Sequence, residues 1–351
     1  PFATNVTEIS LDKGDKLKLF GICPRYGASE ESESTNINCS GDCYIYGNIM
    51  SLFNVNTFPI AKEMNYKYTF AHLFKGNTHI KNHPSKALVL PATTLTEYCY
   101  ESLFEGCSGL TKAPALPATT LAEECYYLMF YGCTGLKEPP ALPATTLASY
   151  CYSGMFRNCS SLEKAPDLPA TTLAVGCYNG MFSSCSGLKV APALPAMSLA
   201  DACYSQMFYH CGILTEAPDL SATKLAPMCY SYMFQSCFEL KLAPLLPATK
   251  LEDKCYEGMF KSCSKLNNVS CMAAQLGEAY SSNWLSGVAP SGTFTKNLFT
   301  TKKKLTRGVS GIPTEWTLLN DATELVGYDL DGNGTVDDDD IQKLVDYIMN
   351  H

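Results

Sequence analysis

Residues 329–340 read Asp-Leu-Asp-Gly-Asn-Gly-Thr-Val-Asp-Asp-Asp-Asp. Clustered hard oxygen donors at this spacing suit a calcium ion. Asp329, Asp331, Asn333, the Thr335 carbonyl and Asp340 fall at positions 1, 3, 5, 7 and 12 of an EF-hand-type loop, and Gly334 at position 6 permits its sharp turn. Ile341, Leu344, Val345 and Ile348 follow at helical spacing, which predicts a helix behind the loop. One calcium ion is therefore the expected cofactor. The pattern departs from a full EF-hand in having Asp rather than Glu at position 12 and no amphipathic helix in front.

The second chemistry-bearing set is sulfur. Of the chain's 18 cysteines, seven (Cys99, Cys125, Cys151, Cys177, Cys203, Cys229, Cys255) recur every 26 residues, each followed by Tyr. A second series, from Cys107 through Cys133, Cys159, Cys185, Cys211 and Cys237 to Cys263, sits eight residues after the first. Eight residues of helix separate Cα atoms by about 12 Å, beyond the reach of a disulfide. Stacked columns of seven cannot pair off completely either, so these cysteines are expected as reduced, buried, small hydrophobes. Zinc is not expected, since there is no C-x-x-C and the five histidines do not follow the repeat. Cys23, Cys39 and Cys43 lie outside both series, and a disulfide among them stays open at this point. There is no G-x-S-x-G, H-E-x-x-H or Gly-rich phosphate loop. Adjacent carboxylates such as Glu123 and Glu124 would diverge on a helix, so no enzyme is expected.

The cysteines belong to a wider register. Phe104, Phe130, Phe156, Phe182, Phe208, Phe234 and Phe260 form another column, and Leu110 opens one that runs to Leu266. Each unit begins with a version of Leu-Pro-Ala-Thr-Thr-Leu, from Leu90 to Leu246. Such self-similarity is the signature of a solenoid, here an α/β repeat with a short strand and a short helix in each coil. In residues 116–141 the prolines favour extended backbone. Cys125, Met129 and Cys133, with Tyr126 and Phe130 beside them, then predict one face of a short helix. Residues 61–89 read as a degenerate coil, with Phe74 in the Phe column, Ile80 in the Leu column and four extra residues near 83–86. Residues 90–271 hold seven regular coils.

The flanks differ. Residues 1–60 read as a β-rich N-terminal cap, with Lys16–Phe20 and Cys43–Gly47 as strands. Residues 272–320 lose the repeat and read as a C-terminal cap; residues 321–351 read as a linker and the calcium loop-helix. The net charge of −8 resides in that last segment, whose nine carboxylates face one base, while the rest of the chain is neutral. A neutral body does not suit nucleic acid; the basic cluster Lys302, Lys303, Lys304 and Arg307 reads as a solvated loop. No apolar run is long enough to span a membrane. The chain opens on Pro1, which fits a processed start without its secretory signal.

The coil sequence Leu-Pro-Ala-Thr-Thr-Leu-Ala-Glu-Glu-Cys-Tyr-Tyr-Leu-Met-Phe-Tyr-Gly-Cys-Thr-Gly-Leu of residues 116–136 resembles the BspA-type leucine-rich repeats of secreted or surface proteins of Bacteroides-like bacteria. Residues 43–52 resemble the lead-in of that group, and the likeness covers roughly residues 43–320. Residues 329–350 resemble one half of a type I dockerin, which normally carries two. The resemblance implies a right-handed leucine-rich-repeat superhelix, an extracellular or cell-surface location, and adhesion to protein partners, including host or extracellular-matrix proteins. For the tail it implies a cohesin-like partner.

Two functions follow as expectations. One is a non-catalytic, adhesion-type protein-binding module. The other is a structural scaffold or spacer, anchored or assembled through the calcium-binding tail. In the first, specificity resides at the variable positions. Tyr127, Tyr131, Arg157 and Tyr209 are the candidate partner-binding residues, with Glu101 and Gln235 among their neighbours and Lys112, Glu138, Lys164, Asp167, Glu216 and Asp219 on the strand side. Tyr127 and Tyr131, four apart, are the candidate aromatic anchors.

Overall fold

The computed structural model describes residues 8–21, 26–28, 34–54, 56–296, 305–308, 310–320 and 343. The repeat is borne out as a stack of coils. Among the described residues, strands of two or more residues occur only toward the ends of the stack. β1 (Cys43–Ile45) and β2 (Gly47–Asn48) pair in parallel with β3 (Ile80–Asn82) and β4 (Leu88–Val89). β5 (Asn268–Cys271), β6 (Thr293–Lys296) and β7 (Thr317–Asn320) form a parallel sheet in that order. Between them the coils meet through single parallel bridges, such as Thr94 with Thr120 and Lys112 with Glu138. Prolines near each bridge remove amide donors, so the ladders cannot lengthen.

The helix expected in each coil is absent: residues 90–267 contain no α-helix. The segment is instead a run of overlapping turns. In one coil Cys125, Tyr127, Met129, Tyr131 and Cys133 donate their amides three residues back, to Ala122, Glu124, Tyr126, Leu128 and Phe130. The intervening Glu124, Tyr126, Leu128, Phe130 and Gly132 donate instead to the next coil, at the carbonyls of Ser149, Cys151, Ser153, Met155 and Arg157, over 2.8–3.1 Å. Every amide in this run is thereby satisfied without an i→i−4 bond. The geometry has a period of four. Cys125 and Tyr126 point in, Tyr127 and Leu128 outward, Met129 and Phe130 in, Tyr131 and Gly132 outward, and Cys133 in. Over nine residues that pattern resembles a 3.6-residue helical stripe, which is why the spacing alone favoured a helix.

Turns of this kind need φ > 0 at their third residue in alternate steps. The columns that begin at Tyr68, His72 and Gly76 take this conformation in all eight coils through Lys254, Gly258 and Ser262. None of these 24 residues is β-branched, in keeping with the steric penalty of that conformation. At Gly176 a second constraint applies, because an added Cβ would sit inside the ring of Tyr150 from the preceding coil.

The core is built from the columns. Phe104, Phe130 and Phe156 are fully buried, their ring centroids 5.5 and 5.7 Å apart and their planes nearly parallel. The stack runs without a break from Phe74 to Phe260. A parallel stack joins Phe70, Tyr100, Tyr126, Tyr152, Tyr178, Tyr204, Tyr230 and Tyr256. The second cysteine column does more than fill space. The Sγ–H of Cys107 donates to the Phe74 carbonyl at 3.1 Å, and Cys133, Cys159, Cys185, Cys211, Cys237 and Cys263 repeat this bond at 2.9–3.2 Å with the Phe of the preceding coil.

The flanks modify the expected boundaries. Phe74 stacks on Phe104 and Ile80 is fully buried, so the degenerate coil keeps the expected register, offset by the four extra residues. Lys16–Phe20 is not a strand: these residues are exposed, and β structure in the N-terminal segment is confined, among the described residues, to β1 and β2. Among the described residues of 272–320 the parallel pairing of successive coils continues. β5 pairs with β6 at an offset of 25 and β6 with β7 at 24. Trp284 ends the Tyr stack 5.9 Å from Tyr256, and its indole N–H donates to the Gly311 carbonyl at 2.7 Å. Shortening by one or two residues per coil disguised this continuation. Among the described residues no helix is long and apolar enough to cross a membrane.

Phe156→Ala should cost about 3–5 kcal/mol, the usual loss for a buried aromatic. Tyr204→Phe should do the reverse: its hydroxyl is buried without a hydrogen-bond partner, so its removal should be neutral or gain about 1 kcal/mol. Denaturant midpoints of the two variants check both values.

Candidate functional site

The outward half of each coil's turn segment forms one side of the stack, and here the variable residues collect. Tyr131, Arg157 and Tyr209 belong to a single column, with Tyr131 and Arg157 on adjacent coils. Tyr127 lies one turn earlier on the same coil as Tyr131. Its phenol is held above the ordinary range first by burial, then by the charges of Glu124 and Glu101; Arg157 opposes the shift. Tyr127, Tyr131 and Arg157 are therefore brought together. Tyr209 stands two coils beyond Arg157 and packs edge-on against His210, with centroids 4.3 Å apart. Arg157 is exposed, and the three tyrosines are half-buried.

This side is acidic at its N-terminal end. Glu97 pairs with Lys67, and Glu105 with Lys75 at 3.3 Å. Glu124 is raised above the usual carboxylate range by partial burial and by the neighbouring Glu123. Tyr68 and Tyr98 stack face to face at 4.6 Å beside these carboxylates. Tyr68 and Tyr98 are 30 residues apart, so only the four-residue offset of the degenerate coil brings them into one column.

On the strand side, Lys112 and Glu138 sit on bridged coils and form an exposed ion pair at 2.7 Å. Exposed pairs of this kind contribute little. The four extra residues flank a cleft of about 550 Å³, lined by His83, Lys86, Leu88, Pro91 and Pro114 among others. His83 packs edge-on against Tyr44 and Tyr46, and the Lys86 ammonium sits 4.6 Å from the Tyr46 ring centre. The insertion was legible in the sequence, the cleft was not.

The calcium-loop residues Asp329, Asp331, Asn333, Thr335 and Asp340 lie outside the described residues, as does Cys23. Among the described residues no group of three or more His, Cys, Asp or Glu side chains is arranged to hold a metal. The column cysteines are free thiols, fifteen of them buried when Cys271 is included. Burial pushes Cys99, Cys177, Cys211 and Cys263 up to about 12. Comparison of the chain with protein-family models, curated proteins and solved structures returned no match.

Burial of so many thiols has a pH consequence. A group whose folded pKa is raised adds stability in full below its unfolded value, and that stability is lost as pH climbs toward the folded value. The window here runs from about 9, ordinary for a thiol, to about 12. Stability should be flat from about pH 6 to 8 and should collapse cooperatively above about pH 9. Circular dichroism against pH, with maleimide labelling at pH 8 that spares all fifteen buried thiols, checks this.

Proposed function

We propose that this chain is a non-catalytic protein-binding module of the adhesion type, a BspA-like leucine-rich-repeat protein that works at the cell surface or outside the cell. A repeat stack with constant inner columns is a rigid support, and its outward positions are free to vary. The observation that carries the reading is the meeting of Tyr127, Tyr131 and Arg157 on adjacent coils. Aromatic residues and arginine are the side chains most often dominant in protein interfaces. Tyr209, farther along the same column, extends the contact. The partner is a protein, with host and extracellular-matrix proteins as the class to test. The tail binds one calcium ion through Asp329, Asp331, Asn333, Thr335 and Asp340, and a cohesin-like protein is its candidate partner.

Binding of the full chain to a panel of extracellular-matrix proteins, measured by surface plasmon resonance, tests the reading. Replacing Tyr127, Tyr131 and Arg157 together by Ala should weaken capture at least about tenfold while leaving the melting temperature unchanged. Equal binding by the variant would refute it. If capture instead disappears on removal of residues 321–351 and is untouched by the triple replacement, the chain is a scaffold that acts through its tail. Asp329→Ala should abolish calcium binding in calorimetry with no change in the unfolding of the coils. A large fall in melting temperature would mean that the tail docks on them.

A further inference from the structure

Cys39 and Cys43 stand apart from the column thiols. Their Sγ atoms are 2.6 Å apart, and both are half-buried rather than sealed in the core. The segment that carries them is fixed at several points. The Ile37 amide donates to the Leu73 carbonyl, and the Asn77 side-chain amide to the Ile37 carbonyl. Asp42, in the exposed stretch between the two cysteines, pairs with Lys81 and approaches His79 Nδ1 at 3.7 Å. Cys43 opens β1 and its amide donates to the His79 carbonyl at 3.1 Å. The two sulfurs are thus held together by contacts on both sides of the loop, and a bond between them needs only a small further approach. Column thiols are instead sealed in the core, out of reach of a soluble oxidant, and those of the second series spend their S–H on the Phe carbonyl of the preceding coil.

We propose that Cys39 and Cys43 are a redox-responsive dithiol that closes to an intramolecular disulfide and braces the N-terminal end of the stack, while the column cysteines stay reduced. The co-reactant is a low-molecular-weight disulfide such as oxidised glutathione. The Cys39 thiolate attacks one of its sulfurs, the reagent's S–S bond breaks, and one reduced thiolate leaves. Cys43 then gives up its proton and attacks Cys39 sulfur, expelling the second reagent thiolate. Two protein thiols lose two electrons in total, and the reagent takes them up as two thiols. Burial and the adjacent Cys39 hold the Cys43 thiol well above its ordinary range, so Cys43 suits the second, intramolecular attack. The brace falls where the coil is least regular, at the pairing of β1 with β3.

The full chain is equilibrated in oxidised glutathione, alkylated with N-ethylmaleimide without reductant, digested and read by mass spectrometry. The expected result is one peptide in which Cys39 and Cys43 are joined and unalkylated, with the column cysteines still thiols after unfolding. The melting temperature should rise by a few degrees, and dithiothreitol should reverse the rise. Cys43→Ser should lose the rise and accumulate a glutathione adduct on Cys39. Cys39→Ser, carried as a second variant in case the first folds poorly, should lose the rise as well. Both thiols remaining alkylatable, a bond from either to Cys23, or an equal rise in both serine variants overturns the proposal.

Discussion

Alternate amides in the turn segment point along the stack, and the remainder of the structure is subordinate to that rule. A coil whose even-numbered residues bond to the next coil cannot also close helical bonds within itself. It follows instead a path with two residues inward and two outward. Because each coil templates the one beside it, 26 residues must return the chain to the same register, and identical side chains must meet. The Phe and Tyr stacks, the cysteine-to-Phe carbonyl bonds and the left-handed columns all follow from this repetition. They are cooperative in the plain sense that a fault in one coil removes partners from both neighbours.

The same rule separates support from recognition. Inward columns are nearly invariant: Cys, Tyr, Phe, Cys and Leu recur with little change from one coil to the next. Outward columns hold Glu, Tyr, Arg, Ser, Gln and Lys in no fixed order. Positions 127, 131 and 157 become neighbours because the core fixes the coil spacing, with no contribution from local sequence. The terminal coils obey the rule less strictly. A four-residue insertion at one end and shortened coils at the other change the outline of the stack while its backbone bonding persists.

Much of this was legible in the sequence. The 26-residue register named the buried columns correctly, from Cys99 to Leu266, and placed Phe74 and Ile80 in a degenerate coil. The helix was misread because Cys125, Met129 and Cys133 fit a four-residue and a 3.6-residue period equally well over so short a span. Glycines at 176 and 180, four apart, were the available signal for the left-handed turns. The coils beyond 271 were hidden because Trp284 replaces Phe or Tyr at a shortened spacing. Of the candidate site, Tyr127, Tyr131 and Arg157 were legible as variable positions. The Tyr68–Tyr98 pair and the cleft beside His83 arise only when the offset coil is laid against its neighbour.

The left-handed columns carry a cost for diversity. Side chains branched at Cβ, and proline, have no comfortable place in them, so three of the outward columns draw on a reduced amino-acid alphabet. Those columns hold Tyr, His, Ser, Gln, Glu, Lys, Asn, Leu, Met, Ala and Gly, none of them branched at Cβ. The columns of Tyr127 and Tyr131 are exempt. Novelty in what this surface grips therefore enters chiefly along two narrow tracks running the length of the molecule, and any engineered repertoire built on it inherits the same pair of tracks.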